Sequence, residues 1–173
     1  DPKRKIPSGR VITSPADGKI IEIRKVKGVV KGKKGFGVIE TLASDVAKEC
    51  CLVAIFMNPI NVHVNRAPIK GKVLKTKHSS GKFFPANSPK AMYNEKNEIL
   101  IKGDLKVKMV QIAGLVARRI ECWVKEGQEV MAGERVGRIN LGSQVMLIMP
   151  SSIDLKVRKN QKVKAGTTII ATY

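Results

Sequence analysis

The sequence predicts one mostly β domain, a sandwich or barrel with one or two short helices. Its 173 residues suit a single domain, and 43% of them are apolar, which is enough to form a core. Short stretches rich in β-branched residues recur, and Gly, Pro and Asn separate them, which is typical of strands joined by turns. The predicted strands are Gly18–Ile23, Gly37–Leu42, Leu52–Met57, Gly71–Thr76, Glu98–Ile101, Lys106–Ala113, Gly137–Ile139, Val145–Ile148 and Asp154–Val157. Two other segments, Leu42–Cys51 and Ser88–Tyr93, have the length for a helical turn or two.

An internal repeat supports the β prediction. Val124–Gly133 and Val157–Gly166 share Val, Gln, Val, Ala and Gly in register, at a spacing of 157 − 124 = 33 residues. In each copy a Gly or Asn allows a turn with positive φ, a strand follows, and Ala-Gly closes a second turn, so the hairpins can pack face to face. Pro15–Ile20 and Pro68–Val73 form a second pair. The pattern resembles the barrel-sandwich hybrid fold of lipoyl and biotinyl carrier domains, but the Lys108-Met pair lies inside a predicted strand, which argues against a carrier.

The chain carries a large positive charge along its whole length. It has 33 Lys and Arg against 14 Asp and Glu, a formal net charge of +19, and no single tail holds the surplus. Such a charge attracts acidic lipid or nucleic acid; the alternative is a soluble protein from a salty or hot habitat. Aromatic residues make up only 4%, so stacking platforms for single-stranded nucleic acid are few. The longest apolar run, Cys50–Met57, is far shorter than the roughly 18 residues of a membrane-spanning helix.

The chain has only two histidines, and each is a candidate for proton transfer. His63 shares one face of an extended segment with Asn61 and Asn65, because its valine neighbours point to the other face. This polar face suggests a site, although a structural histidine fits the pattern equally well. His78 precedes a Ser-Ser-Gly loop, where a solvent-exposed histidine without function is the alternative.

Ser143 and Asp17 are the other candidates for chemistry. Ser143 follows Gly142 between two predicted strands, and a Gly-Ser pair is the minimal unit for self-cleavage by attack of the hydroxyl on the preceding carbonyl. Such a hydroxyl needs a base, and the base needs an orienting carboxylate. Asp17, at the start of a predicted strand, is the best candidate for that carboxylate, whereas an ordinary Asp-Gly turn is the alternative.

Six motifs follow one another along the chain and together resemble a known family. They are Ser14–Lys19, Asn58–Pro68, Gly81–Asn87, Asn94–Asn97, Val110–Ile120 and Leu141–Ser143. The series resembles the short-form phosphatidylserine decarboxylases, including their archaetidylserine-type relatives, over essentially the whole chain. Members of that family are proenzymes that cut themselves before a Ser, which becomes an amino-terminal pyruvoyl group.

The resemblance assigns roles to the candidate residues. Ser143 becomes the nucleophile and the precursor of the pyruvoyl cofactor, and Gly142 marks the cleavage site. The expected products are a β chain of residues 1–142 and an α chain of residues 143–173. Asp17 becomes the orienting carboxylate and His63 the base.

One departure from the family pattern concerns the second histidine of long-form members. Arg66 occupies that position here, so His63 must perform both duties, or His78 must share them. Phe83 and Phe84 are expected to line the path of the lipid chains, with a core role as the alternative.

The resemblance implies a lyase that converts a phosphatidylserine-type or archaetidylserine-type lipid to the ethanolamine lipid and CO2. The substrate amine would form an imine with the pyruvoyl group. The expected partners are the aminophospholipid, an anionic membrane surface, the chain's own two cleavage products and a second copy in a homodimer, but not nucleic acid. We expect the protein at the cytoplasmic face of the cell membrane, bound peripherally or through an anchor; because residue 1 is Asp rather than Met, such an anchor would lie outside this chain. The alternatives are a non-catalytic basic β barrel that binds anionic lipid or nucleic acid, and a carrier or scaffold domain.

Overall fold

The computed structural model describes residues 1–34, 37–81, 95–114, 119–140 and 142–173, which form sixteen β-strands and no helix. The strands are β1 (Val11–Thr13), β2 (Gly18–Val26), β3 (Val29–Lys34), β4 (Gly37–Leu42), β5 (Cys50–Met57), β6 (Val64–Arg66), β7 (Gly71–Ser79), β8 (Lys96–Lys102), β9 (Lys106–Ile112), β10 (Ile120–Cys122), β11 (Glu129–Val130), β12 (Arg135–Ile139), β13 (Ser143–Pro150), β14 (Asp154–Leu155), β15 (Lys162–Val163) and β16 (Ile169–Thr172). The mostly β prediction is confirmed. Among the described residues, no helix has the length and apolar character needed to cross a membrane.

Eight strands form one curled antiparallel sheet, a half-barrel in the order β11-β7-β8-β9-β13-β5-β2-β15. β13 lies near its centre, paired with β5 over eight residues and with β9 over five. Its side chains are buried on both faces of the sheet, except at its last residue. Because both faces are buried, the sequences of β5 and β13 are largely continuous runs of apolar residues and do not alternate between apolar and polar ones.

The two faces of the sheet pack into separate hydrophobic cores. The inner face contributes Ile55, Val145 and Leu147 to the larger core, together with residues of the two smaller three-stranded sheets. The outer face contributes Leu52 and Ile148 to a second core, which residues of the 26–47 segment cover. Because side chains alternate along each strand, the same strands supply both cores.

The repeated hairpins pack against each other as the sequence predicts. Gly127 has φ +86° and Asn160 has φ +71°, the positive values expected at the first turn of each copy. A Cβ atom on Gly166 would lie 3.4 Å from the Gly133 Cα, so the second turns are in contact. The side chain of Ile6 lies against both glycines: a Cβ would come within 2.2 Å of it from Gly133 and 3.0 Å from Gly166. Glycine is therefore required at Gly133 for close packing as well as for its φ of +77°.

The helical predictions had different outcomes. Within Leu42–Cys51, the amides of Val46 and Ala47 both donate to the Ala43 carbonyl, at 2.9 Å and 3.3 Å, so the segment makes one turn that does not continue into a helix. Cys50, at its end, already begins β5. Ser88–Tyr93 lies outside the described residues.

Candidate active site

The sequence-predicted residues cluster at one end of the large sheet. Ser143 begins β13 and pairs with Met57, the last residue of β5. On the other side of β5, Lys19 pairs with Phe56, so the Asp17-Gly18 turn lies beside the same strand end. Two strand spacings of about 4.8 Å separate the β2 and β13 backbones at this end of the sheet.

Ser143 is fully buried, although its hydroxyl makes only a weak contact. Its Oγ lies 3.5 Å from the Met57 Sδ, and a thioether is a poor hydrogen-bond acceptor. Gly142 precedes it with φ +69°, a left-handed conformation that an L-residue adopts only with strain. A Cβ on Gly142 would meet no atom within 4 Å, so the side of the cleavage-site glycine that would carry a side chain is open. The bond predicted to break therefore lies in a left-handed turn at the start of a central strand.

His63 lies immediately before β6 and next to the strand that leads to Ser143. Its carbonyl accepts a hydrogen bond from the Ile139 amide at 3.1 Å, and Ile139 is only four residues from Ser143. The His63 Nε2 is buried and has no hydrogen-bond partner in the described part of the chain. Burial lowers the pKa of His63, and a hydrogen bond to the Asn61 backbone opposes this shift in part. The ring is thus neutral over a wide pH range, and a neutral imidazole can accept a proton.

Asp17 has partners other than the base it is predicted to orient. Its Oδ1 accepts a hydrogen bond from the Ala165 amide at 2.7 Å, and its Oδ2 accepts one from the Arg4 guanidinium at 2.9 Å. Both side chains of the Arg4–Asp17 ion pair are largely buried. Among the described residues, no hydrogen bond joins Asp17 or Ser143 to His63, so the orienting role of Asp17 stays a prediction.

Arg66, which replaces the second histidine of long-form members, binds the N-terminal segment, residues 1–10. Its guanidinium donates to the Gly133 carbonyl at 2.7 Å and to the Asp1 carboxylate at 2.7 Å. Arg135 also pairs with Asp1, at 2.6 Å. Through Asp1 and Arg4, the N-terminal segment connects the repeated hairpins to the turn that contains Asp17. The sequence gives no signal for this arrangement, because an isolated Arg or Asp does not reveal a partner more than sixty residues away.

A chain of buried amide side chains reaches the site from the sheet. Asn97 Nδ2 donates to Gln111 Oε1 at 2.8 Å, and Gln111 Nε2 donates to Asn65 Oδ1 at 2.9 Å. Asn65 Nδ2 in turn lies 3.8 Å from the Met57 Sδ and 3.4 Å from the Pro15 carbonyl. The three amides, almost inaccessible to solvent, thereby join β8, β9 and β6 to the sulfur that contacts Ser143. Sequence analysis singled out only Asn65 of the three, although Asn97 and Gln111 lie in the Asn94–Asn97 and Val110–Ile120 motifs.

His78 belongs to a separate pair on β7, at the same end of the sheet. Its Nε2 lies 2.8 Å from the Glu95 Oε1, and half of the His78 side chain is exposed. Glu95 also accepts a weak hydrogen bond from the Ile120 amide at 3.3 Å, which helps to fix the carboxylate. Sequence analysis missed Glu95 as a partner, although it lies in the Asn94–Asn97 motif. Phe83 and Phe84 fall outside the described residues.

Known proteins with similar sequences indicate the family to which this site belongs. A family model described as phosphatidylserine decarboxylase matches residues 1–171. The chain belongs to the phosphatidylserine decarboxylase family. A phosphatidylserine decarboxylase proenzyme of Pelodictyon phaeoclathratiforme is 41% identical over 100% of this chain and 76% of its own length. The proenzyme of Syntrophus aciditrophicus is similar, at 41% identity with the same coverage of both chains. A protein of Methanothermobacter thermautotrophicus, provisionally named archaetidylserine decarboxylase proenzyme, is 40% identical over the whole chain and 78% of its own length. The sequence-based assignment to a decarboxylase family is therefore confirmed.

Proposed function

We propose that this decarboxylase-family chain cuts itself between Gly142 and Ser143 and then decarboxylates a phosphatidylserine-type or archaetidylserine-type lipid. The observation that carries the proposal is the position of Ser143, a buried, weakly bound hydroxyl directly after a left-handed glycine. His63, whose Nε2 has no hydrogen-bond partner among the described residues, lies beside the strand that leads to it. The proenzyme names of the relatives support the same reading.

The first step is an acyl shift at the Gly142–Ser143 bond. The Ser143 Oγ attacks the Gly142 carbonyl carbon, and neutral His63 accepts the hydroxyl proton. The carbon–nitrogen bond then breaks, and the Ser143 nitrogen takes up a proton to become an amine. An ester now joins the two residues. In the intact chain His63 does not hydrogen-bond Ser143, so the imidazole must approach the hydroxyl for this step.

The second step converts Ser143 into the cofactor. A base removes the α-proton of Ser143, the electrons form a carbon–carbon double bond, and Gly142 leaves as a carboxylate. Water then hydrolyses the resulting dehydroalanine. An oxygen atom takes the place of its amino group, and the amino group departs as ammonia. The products are a chain of residues 1–142 and a pyruvoyl-blocked chain of residues 143–173.

The residues at this end of the sheet have defined tasks in lipid decarboxylation. A pyruvoyl group supplies a carbonyl that can accept the electron pair released when a carboxylate leaves as CO2. His63 and His78 are the imidazoles at this end of the sheet that can return a proton to the substrate carbon. The Glu95 Oε1 lies 2.8 Å from the His78 Nε2 and orients that ring. We assign the base role to His63, whose buried Nε2 has no hydrogen-bond partner among the described residues, and the acid role to His78.

Intact-mass analysis of wild type and Ser143→Ala tests the proposal. Wild type should yield two chains, the smaller with 173 − 142 = 31 residues and no free amino terminus. Ser143→Ala should remain one chain and release no CO2 from phosphatidylserine, because Ala has no attacking hydroxyl and no leaving group. Ser152→Ala, the same change at an exposed serine after β13, should cleave as wild type does. If Ser143→Ala still splits into two chains, the cut lies elsewhere and the assignment is wrong.

A further inference from the structure

An apolar and basic patch borders the end of the sheet that carries Ser143. Phe56, one residue from the end of β5, is 38% exposed, and Ile60 in the next turn is 91% exposed. Lys19 pairs with Phe56, and Lys162 pairs with Lys19, so two exposed lysines continue the same row across the outer face of the sheet. We name these four residues, Lys19, Phe56, Ile60 and Lys162, the end patch.

The turn that presents Ile60 is fixed by hydrogen bonds. The Asn58 Oδ1 accepts from the amides of Ile60 and Asn61, each at 3.1 Å. The Asn61 Oδ1 accepts from the Asn58 amide at 2.9 Å, which closes the turn in the other direction. An isolated exposed apolar residue is common and needs no explanation. Here, however, a turn fixed by hydrogen bonds holds Ile60, 91% exposed, only three residues from His63, so little conformational entropy is lost when a partner buries Ile60.

We propose that the end patch docks on an anionic phospholipid bilayer, with Ile60 and Phe56 in the acyl boundary and Lys19 and Lys162 among the headgroups. This inference rests on the proposed function and specifies the surface that delivers the lipid. Apolar side chains flanked by lysines are the chemistry that binds a bilayer interface. The net charge of +19 adds attraction to an anionic surface.

The position of the patch relative to Ser143 supports this choice of partner. Gln144 separates Ser143 from the patch along β13, since it pairs directly with Phe56. Phe56 faces outward and Ser143 faces the inner core, so a lipid held with its acyl chains against Phe56 and Ile60 reaches the reactive bond with its headgroup around the end of the sheet. A nucleic acid would use the lysines but would gain nothing from an exposed isoleucine, so the patch favours lipid over nucleic acid.

Vesicle co-sedimentation tests the end patch with matched controls. The probes are vesicles of phosphatidylcholine alone and of phosphatidylcholine with 30 mol% phosphatidylglycerol, about the composition that gives a clearly anionic surface. Lys19→Glu/Lys162→Glu should weaken binding to the anionic vesicles by about 30-fold or more. Ile60→Ser should weaken it by about tenfold.

Two control variants change residues outside the end patch. Lys72→Glu/Lys102→Glu makes the same charge change on a lysine pair at the opposite end of the sheet, and Met131→Ser removes an apolar side chain that is 67% exposed elsewhere. Both control variants should lose markedly less binding.

The outcomes separate the surface from the proposed function. Self-cleavage of each variant is followed on gels, because it requires no lipid and reports on the fold. CO2 release is measured from a dispersed short-chain phosphatidylserine and from the same headgroup in vesicles, and the patch variants should lose turnover mainly on vesicles. Equal binding by patch and control variants would show that another face meets the bilayer. Loss of binding with the lysine changes but not with Ile60→Ser would indicate a general polyanion site and overturn the proposal. If wild type releases no CO2 from the short-chain lipid, the proposed function fails, whatever the vesicles show.

Discussion

At the scale of single residues, His63 combines a lowered pKa with a buried nitrogen that has no hydrogen-bond partner in the part of the chain that the structure describes. Burial lowers the pKa of the ring from its ordinary value of 6.5, because desolvation disfavours the charged form. The unpaired Nε2 costs stability in the resting chain, since a buried polar atom without a partner is unfavourable. Such a residue is better suited to proton transfer than to a structural role.

The lowered pKa of His63 leads to a pH prediction. Wild-type self-cleavage should stay at its maximum down to about pH 6.5 and fall only below that, as the base becomes protonated. The same shift links the stability of the fold to pH. Above about pH 6.5 the ring is neutral in both states and the full free energy of unfolding is present. As the pH falls toward the folded-state pKa, the unfolded chain binds more protons and the folded state loses stability. Gel assays of cleavage between pH 4.5 and 8 measure the first effect, and thermal unfolding over that range measures the second.

His63→Gln and His78→Gln serve as the paired variants for this experiment. His63→Gln should block cleavage at every pH. His78→Gln should leave cleavage and its pH profile intact but lower CO2 release by about 10²- to 10⁴-fold, as for a lost general acid. An acidic limb centred above pH 6.5, or one that persists in His63→Gln, would assign the base to another group.

At the scale of elements, the N-terminal segment links parts of the chain that are far apart in sequence. Arg4 pairs with Asp17, Asp1 pairs with Arg66, and Ile6 contacts the two repeat turns. The turn containing Asp17 is thus held from both sides, by Arg4 and by the Ala165 amide. We infer that Arg4 is a positioning residue for self-cleavage.

Replacing Arg4 tests the importance of this contact. Arg4→Gln leaves the largely buried Asp17 carboxylate without its charged partner, a change that costs roughly 3–5 kcal/mol in fully buried pairs and somewhat less here. Cleavage should slow by more than tenfold, and Arg4→Lys should restore part of the rate. Lys5→Gln removes the same charge from an exposed neighbour and should change neither the rate nor the melting temperature. If Arg4→Gln lowers the melting temperature while cleavage of the folded fraction keeps its wild-type rate, the contact is structural only.

The elements also show what the sequence could and could not predict. All nine predicted strands coincide with observed ones, because β-branched runs between Gly and Pro are a local signal. The short strands β1, β10 and β16 were missed, since three or four residues become a strand only through a distant partner. The longer β3 was missed as well. Only part of the candidate site has a signal in the sequence, for the same reason. Motifs point to Asp17, His63 and Ser143 as candidates, whereas the Arg4–Asp17 pair and the Asn97–Gln111–Asn65 chain depend on contacts between separate segments of the chain.

At the scale of the whole molecule, the predicted cut lies where strands of the two products alternate. β13 belongs to the future α chain, yet both of its neighbours, β5 and β9, belong to the β chain. β15 pairs with β2, and β16 pairs with β1, so two more α-chain strands lie against the β chain. The new terminus at residue 143 is therefore embedded in the sheet, which keeps the reactive group at the site after the bond breaks.

This topology predicts that the two chains stay together without a covalent link. Val145, Leu147, Ile148 and Met149 are fully buried, and each such side chain contributes about 1.5–3 kcal/mol when removed from water. The four together give roughly 6–12 kcal/mol before the backbone pairs of β13 are counted, enough to hold the fragments at micromolar concentration. Native mass spectrometry or gel filtration of the cleaved wild type should show a single species, and guanidinium should release the 31-residue fragment (173 − 142 = 31).

Leu147→Ala should lower the denaturant concentration at which release occurs, because it opens a cavity in the core between the chains. Release of the fragment in buffer alone would mean that the covalent link at Gly142, rather than the sheet, holds β13 in place.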